Sequence, residues 1–256
     1  MVNPFRICYS LLMLAKLQLH SQFADVLMNY KPSIEATDKL HSIKLALLMG
    51  FSGSGRNTLI SELLKTGKYR FIVSDTTRKP RVNNGKKEQN GVEYYFRDEF
   101  DFLNDLKKGE FLEAAIIHNQ QVSGISIREI QKASQLNKIA ISDVQTDGID
   151  SILKIKPSSK CIFILPPSFE TWMRRLNVRG EIPNAELRRR LNSALNELNH
   201  LDEEKYTVII NGDLSKSVDL LRQIIEDDLE LPFKNSKAEK VVSELEDRIK
   251  NYLANN

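Results

Sequence analysis

Five short runs of consecutive apolar residues punctuate the chain: IKLALLMG from Ile43, RFIVS from Arg70, KIAIS from Lys138, KCIFILPP from Lys160 and YTVIIN from Tyr206. None alternates apolar with polar, so each reads as a strand buried on both faces. Segments of helical periodicity separate them. Strands alternating with helices predict an α/β fold: a parallel sheet of about five strands flanked by helices. Between Gly85 and His118 the style changes, with GVEYYF and EFLEAAIIH bracketing a short helical segment, DEFDFLNDLKKG. That stretch reads as a small β-rich insertion.

The ends follow helical spacing. In FRICYSLLMLAKLQLHSQFADVLMNY, the residues Lys16, Gln18, His20 and Gln22 interrupt the apolar run before it could span a bilayer, while Phe23, Val26 and Leu27 share one helical face. The segment Lys31 to Ser42, with its proline and polar residues, reads as a connector into the first strand. After Asn211, DLSKSVDLLRQIIEDDL predicts one helix, and Val241, Val242, Leu245, Ile249 and Leu253 mark the packing face of another.

Composition narrows the classes. With 256 residues, 41% hydrophobic and 28% charged, the chain has an ordinary globular balance, which argues against disorder and against a membrane protein. A net charge of +3 gives no support to a nucleic-acid-coating role. Cys8 and Cys161 are far apart and have no Cys/His cluster, which fits a reducing, cytoplasmic compartment and no structural zinc.

The candidate chemistry starts at LLMGFSGSGRNTLISELL, from Leu47. Gly50 and Gly55 keep the spacing of the phosphate-cradling pattern G-x-x-x-x-G-K-[ST], but Arg56 and Asn57 stand where lysine and a hydroxyl residue are expected. A strand before and a helix after would aim the loop amides into one concavity backed by the positive helix end, a trap for polyphosphate that needs no particular side chain. Gly50, Ser52, Gly53, Ser54, Gly55, Arg56, Asn57 and Thr58 are the expected contacts to that polyphosphate. Arg56 keeps the charge in a wider planar fork, and Asn57 offers an amide oxygen where a hydroxyl would face Mg²⁺. The bland alternative is that the glycines only make a tight turn. Downstream, VSDTTRKPR sets Arg78 and Arg81 around Pro80, two guanidinium groups suited to a phosphate dianion.

Taken in order, GFSGSGRNT, SDTTRKPR, NGVEYYF, GEFLEAA and VIINGDL resemble the guanylate kinases, from about Leu45 to about Asp213. The resemblance implies a P-loop NTPase-type core, a β-rich GMP-binding lobe at about 75–125 and a helical lid at about 172–191, within a kinase domain at 44–230. Residues 1–43 and 231–256 are then a helical extension and a C-terminal helix. It further implies that Arg78, Arg81 and Tyr94 hold the GMP phosphate, that Ser74 lies near the guanine edge, and that Glu113 accepts from guanine N1 and N2. Adenine would leave that carboxylate unpaired, so the residue would also select the base. Asp143 matches a Walker B-like carboxylate and, with Asn57, the Mg²⁺ position; Gln145 replaces a second acid, and Ser126 is a further expected base contact. Arg56, Arg175, Arg179 and Arg190 are the expected catalytic cations, the last three in the lid, and Asn211 lies at the donor adenine. The loop RVNNGKKEQNG, which carries Glu88, is longer than the family pattern. The expected partners are ATP and GMP or dGMP, with no nucleic acid and no membrane. Two other readings remain open at this point: a guanylate-kinase-like binding module without turnover, favoured by Arg56, Asn57 and Gln145, and a P-loop kinase for another phosphorylated acceptor, which would not need Glu113.

Overall fold

The structure, a computed structural model, describes residues 21–83, 85–117, 121–144, 146–177, 182–199, 201, 204–234 and 236–255. Residues 21–28 are helical. The elements that follow are α1 (Ile34–His41), β1 (Leu45–Met49), α2 (Arg56–Lys65), β2 (Tyr69–Phe71), β3 (Asp75–Thr76), β4 (Val82–Asn83), β5 (Lys86–Lys87) and β6 (Tyr95–Phe96). Next come α3 (Glu99–Lys107), β7 (Phe111–Ile117), β8 (Gln121–Ser126), α4 (Ile127–Gln135), β9 (Ile139–Asp143), α5 (Thr146–Ile155) and β10 (Lys160–Leu165). The chain closes with α6 (Phe169–Asn177), α7 (Asn184–Asn199), β11 (Thr207–Ile210), α8 (Leu214–Glu226) and α9 (Lys237–Asn255). Contacts divide it into two units, one of Lys44–Phe71 with Asn137–Asn256, the other of Ile72–Leu136 with the described residues before Lys44.

In the first unit the five apolar runs form one five-stranded sheet, ordered β11-β10-β1-β9-β2, with every pair parallel. All of β1 is buried, as a central strand covered on both faces must be. Leu59, Leu63, Leu221 and Ile224, from α2 and α8, pack against Ala46, Leu48, Ile141 and Ile162. Because the strands run the same way, Gly50, Asp143 and Asn211, each at or just beyond a strand's carboxyl end, lie along one edge of the sheet, where α/β folds bind ligands. In α9, Val241, Leu245 and Ile249 are buried as the periodicity requires.

The second unit holds a four-stranded sheet, β6-β3-β8-β7, and the hairpin β4-β5. Phe102 stacks on Phe111 at 4.4 Å between centroids, and Phe23 meets Phe102 edge-on at 6.0 Å, with Val26 and Leu27 packed alongside. The N-terminal helical face predicted from Phe23, Val26 and Leu27 is therefore present. The segment from Lys31 to Ser42, expected to be a connector, instead contains α1. Ser33 caps it by accepting from the Ala36 amide at 3.2 Å, and Ala36 and Leu40 are buried. Pro32 and Ser33 are start signals for a short helix, and two buried positions a turn apart are too few to show as periodicity. The expected helices at residues 1–20 lie outside the described residues. Among the described residues no helix is long and apolar enough to cross a membrane.

Candidate active site

The glycine loop lies where β1 turns into α2. Gly50 has φ +135, and a Cβ there would meet the Ile164 carbonyl oxygen at 2.5 Å. Gly55, at φ +95, begins α2, and a Cβ would run into the Asn211 amide. Both positions therefore need glycine. The loop carbonyls are tied from behind: Trp172 Nε1 donates to Ser52 O at 2.7 Å, and Asn211 Nδ2 and Arg175 Nη1 donate to Ser54 O at 2.9 and 3.2 Å. Arg175 Nη2 also donates to Asn211 O at 2.9 Å, and burial lowers the pKa of this guanidinium. With the carbonyls fixed and no side chain capping Gly55, the amino end of α2 is left for an anion. Ser52, Asn57 and Thr58 are exposed there, and Ser54 and Asn211 are buried.

Arg56 folds back across this loop. Nη1 donates to Gly50 O at 3.2 Å, and Nη2 lies 3.2 Å from Asp143 Oδ2. The carboxylate at the end of β9 is thus beside the loop, and Arg56 is already on it. Arg175, expected in the lid, and Asn211, expected near the donor adenine, both brace loop carbonyls here. Arg190 pairs with Glu186 at 2.7 Å on α7. Arg179 and Gln145 lie outside the described residues.

The Arg78, Arg81 and Tyr94 group belongs to the other unit. Arg78 makes a two-pronged pair with Glu88, at 2.5 and 2.8 Å, and its guanidinium sits 4.7 Å above the Tyr94 ring centroid. The Arg81 amide donates to the same Glu88 carboxylate at 2.7 Å. This pairing holds the Glu88 carboxyl below its ordinary pKa, led by the Arg78 hydrogen bonds. Ser74 contributes its carbonyl, which accepts from the Tyr95 amide at 2.9 Å.

Glu113 lies on β7, where burial pushes its carboxyl up to about 7, against a hydrogen bond from the Ile125 amide. It pairs with Ile125 on β8, so strand alternation puts Ser123 on its face of the sheet and Ser126 on the opposite one. Ser123 Oγ donates to Thr76 Oγ1 at 2.8 Å. Ser126 instead lines a cavity with Arg97 and Arg128. Sequence reasoning missed Ser123 and Thr76 as the polar neighbours on this face, and a parity count from Glu113 through the hairpin could have found Ser123. It also missed the loop-bracing role of Trp172, the only tryptophan in the chain, which it placed only as the first residue of the lid segment.

Comparison with known proteins shows the family of the chain. The family model described as guanylate kinase matches residues 42–228. The guanylate kinase of Helicobacter pylori (strain ATCC 700392 / 26695) is 36% identical over 185 residues, covering 72% of this chain and 87% of that protein. That of Corynebacterium diphtheriae is 34% identical over 184 residues, covering 71% and 94%. The crystal structure of guanylate kinase from Anaplasma phagocytophilum superposes with a TM-score of 0.54 at 25% identity, covering 73% of this chain and 86% of that one. A glycine loop braced by Trp172 and Asn211, the Arg78 guanidinium over Tyr94, and Glu113 on β7 are carried by a chain that belongs to the guanylate kinase family.

Proposed function

We propose that this protein transfers the γ-phosphoryl group of ATP to GMP or dGMP, giving ADP and the nucleoside diphosphate, with the kinase domain at 44–230. The reading rests on Glu113. A carboxyl pushed up to about 7 by burial is costly to ionise unless a ligand supplies donors, and guanine offers an adjacent pair at N1 and N2. Adenine offers no such pair, so the same cost becomes selectivity. Ser123 and Thr76 share the hydroxyl face beside it and would complete the edge contacts.

In this reading Arg78, Arg81 and Tyr94 hold the acceptor phosphate, with Glu88 keeping Arg78 extended. The acceptor phosphate is already anionic, so no general base is required; positioning and charge neutralisation carry the catalysis. Arg56 and the α2 amino end would hold the donor phosphates, and Arg175 and Asn211 would keep the loop in shape. Asp143 and the Asn57 amide are oxygen donors that suit Mg²⁺, which takes one or two protein oxygens and completes its shell with phosphate and water. When bound it would neutralise charge on the phosphate oxygens. Arg179 and Arg190 would serve the lid. Cys161, buried and unpaired, is consistent with a reducing cytoplasm.

The test is purified protein with ATP, Mg²⁺ and each nucleoside monophosphate in turn, with ADP measured. GMP-dependent ADP well above the AMP, CMP and UMP blanks supports the reading. No GMP-dependent ADP at any enzyme concentration overturns it in favour of a binding module, and turnover with another acceptor overturns the guanine assignment.

A further inference from the structure

A cavity of about 150 Å³ opens in the second unit at the amino end of α4, lined by Arg97, Asp105, Lys108, Glu110, Ser126 and Arg128 over the apolar side chains of Phe111 and Ile127. Strand alternation places Ser126 on the face of the sheet opposite Glu113, so this cavity lies apart from the proposed guanine contacts. Its volume is far above what one water needs; a cavity of this size accepts a small molecule.

The polar groups around it are unevenly satisfied. Arg97 is spent, with Nη1 on Asp75 and Nη2 on Asp105, both at 2.7 Å. Arg128 commits Nη2 to the buried Asp75 at 2.6 Å, but its Nε is buried without a partner. Ser126 is 4% exposed, and its hydroxyl, also buried, has no partner among the described residues. Ser126 is the N-cap of α4, a position whose side chain normally bonds the first-turn amides, yet it makes no such bond. Two orphaned buried donors beside a helix amino end call for an acceptor that carries negative charge. Asp105 is neutralised by Arg97 and by Lys108, whose Nζ is 3.7 Å away. Glu110 makes no side-chain ion pair among the described residues, and so leaves one carboxylate facing the cavity that could accept from a ligand hydroxyl.

We propose that this cavity is a binding site for hydrogen phosphate, free or as the end of a small phosphorylated metabolite, held by Ser126, Arg128, Lys108 and the amino end of α4. Hydrogen phosphate offers oxygens to the orphaned donors and one hydroxyl to Glu110. Sulfate has the same size and no hydroxyl at neutral pH, so the site favours phosphate.

The test is thermal unfolding of the full chain in rising inorganic phosphate, since a ligand of the folded state raises the midpoint in proportion to its occupancy. The loop at Gly50–Gly55 and the Arg78/Arg81 pair also attract phosphate, so the readout is the part of the shift that cavity variants remove. Ser126→Ala and Lys108→Gln are expected to weaken that part about tenfold, while Arg81→Gln leaves it in place; glucose 6-phosphate in place of inorganic phosphate distinguishes a free ion from a phosphorylated end. Ser126→Ala without phosphate is expected to melt at or above the wild-type temperature, because it deletes an orphaned hydroxyl, whereas a structural role for that hydroxyl would lower it. Arg128→Gln confirms the site only if its own melt without phosphate is cooperative. Equal phosphate responses in wild type, Ser126→Ala and Lys108→Gln overturn the proposal, as does a sulfate shift whose Ser126- and Lys108-dependent part equals that of phosphate.

Discussion

Arg56 lies 3.2 Å from Asp143, so the cation of the phosphate loop is seated on the carboxylate proposed for the metal. The pair is partly exposed, and such pairs are worth about 1 kcal/mol or less. Mg²⁺ arriving with ATP therefore has a small barrier to displace. Arg56→Lys, with a shorter reach and one compact charge, is expected to lower the Mg²⁺ concentration for half-maximal rate about fivefold. A Mg²⁺ titration of initial rates checks this, and an unchanged midpoint would show that Arg56 leaves Asp143 before the metal binds. Asp143→Asn is expected to lower kcat about a hundredfold with KM for GMP nearly unchanged.

Glu113 gives a pH signature. Its carboxyl rises from an ordinary 4.5 to about 7 on folding, so the folded protein holds a proton that the unfolded chain releases between those values. For an acid with a raised folded value, the stability it contributes is fully present below about pH 4.5 and is lost as pH rises through about 7. The whole loss is about 3 kcal/mol. Unfolding free energies of wild type minus Glu113→Gln, measured from pH 4.5 to 8, should trace it. Guanine needs the ionised form, so KM for GMP should rise as pH falls below about 7, and Glu113→Gln should flatten that rise while cutting the GMP over AMP preference by roughly a hundredfold.

Glu88 is a positioning residue. Its pair with Arg78 has side chains only 8% and 10% exposed, so removing one partner strands the other. Glu88→Gln is expected to destabilise the protein by about 3 kcal/mol. It should also raise KM for GMP about tenfold with a smaller change in kcat, because Arg78 loses its fixed direction against the acceptor phosphate that it would hold. A fall in KM would mean instead that Glu88 competes with the acceptor phosphate.

Tyr30 staples the N-terminal segment to the acceptor sheet. Its hydroxyl donates to Phe111 O at 2.5 Å and accepts from Phe111 N at 3.0 Å. Tyr30→Phe leaves both backbone groups of a buried residue without that partner, and should cost about 2 kcal/mol in urea unfolding with an unchanged slope.

The five apolar runs are legible because a strand buried on both faces must be apolar throughout, and that demand is local. Gly50 and Gly55 are legible for a similar reason, since positive φ and close backbone approach leave few alternatives. The helix at Ile34–His41 was not, because its evidence is one cap and two buried residues. Ser126 shows a different limit. Whether a serine near a β-bulge shares the face of Glu113 depends on register, and the irregularity between Phe111 and Glu113 shifts which residues oppose one another.

By itself, then, the sequence determined the parallel core, the glycine loop and the chemical types of the residues proposed for the acceptor site, because periodicity, backbone conformation and functional-group chemistry are properties of short segments. The tertiary structure decided the partners. It put Arg56 on Asp143, set Glu88 against Arg78, turned Arg175 and Asn211 toward loop carbonyls, and left Ser126 and the Arg128 Nε without partners beside a cavity. Those outcomes depend on distances between residues far apart in the chain, which local pattern does not encode.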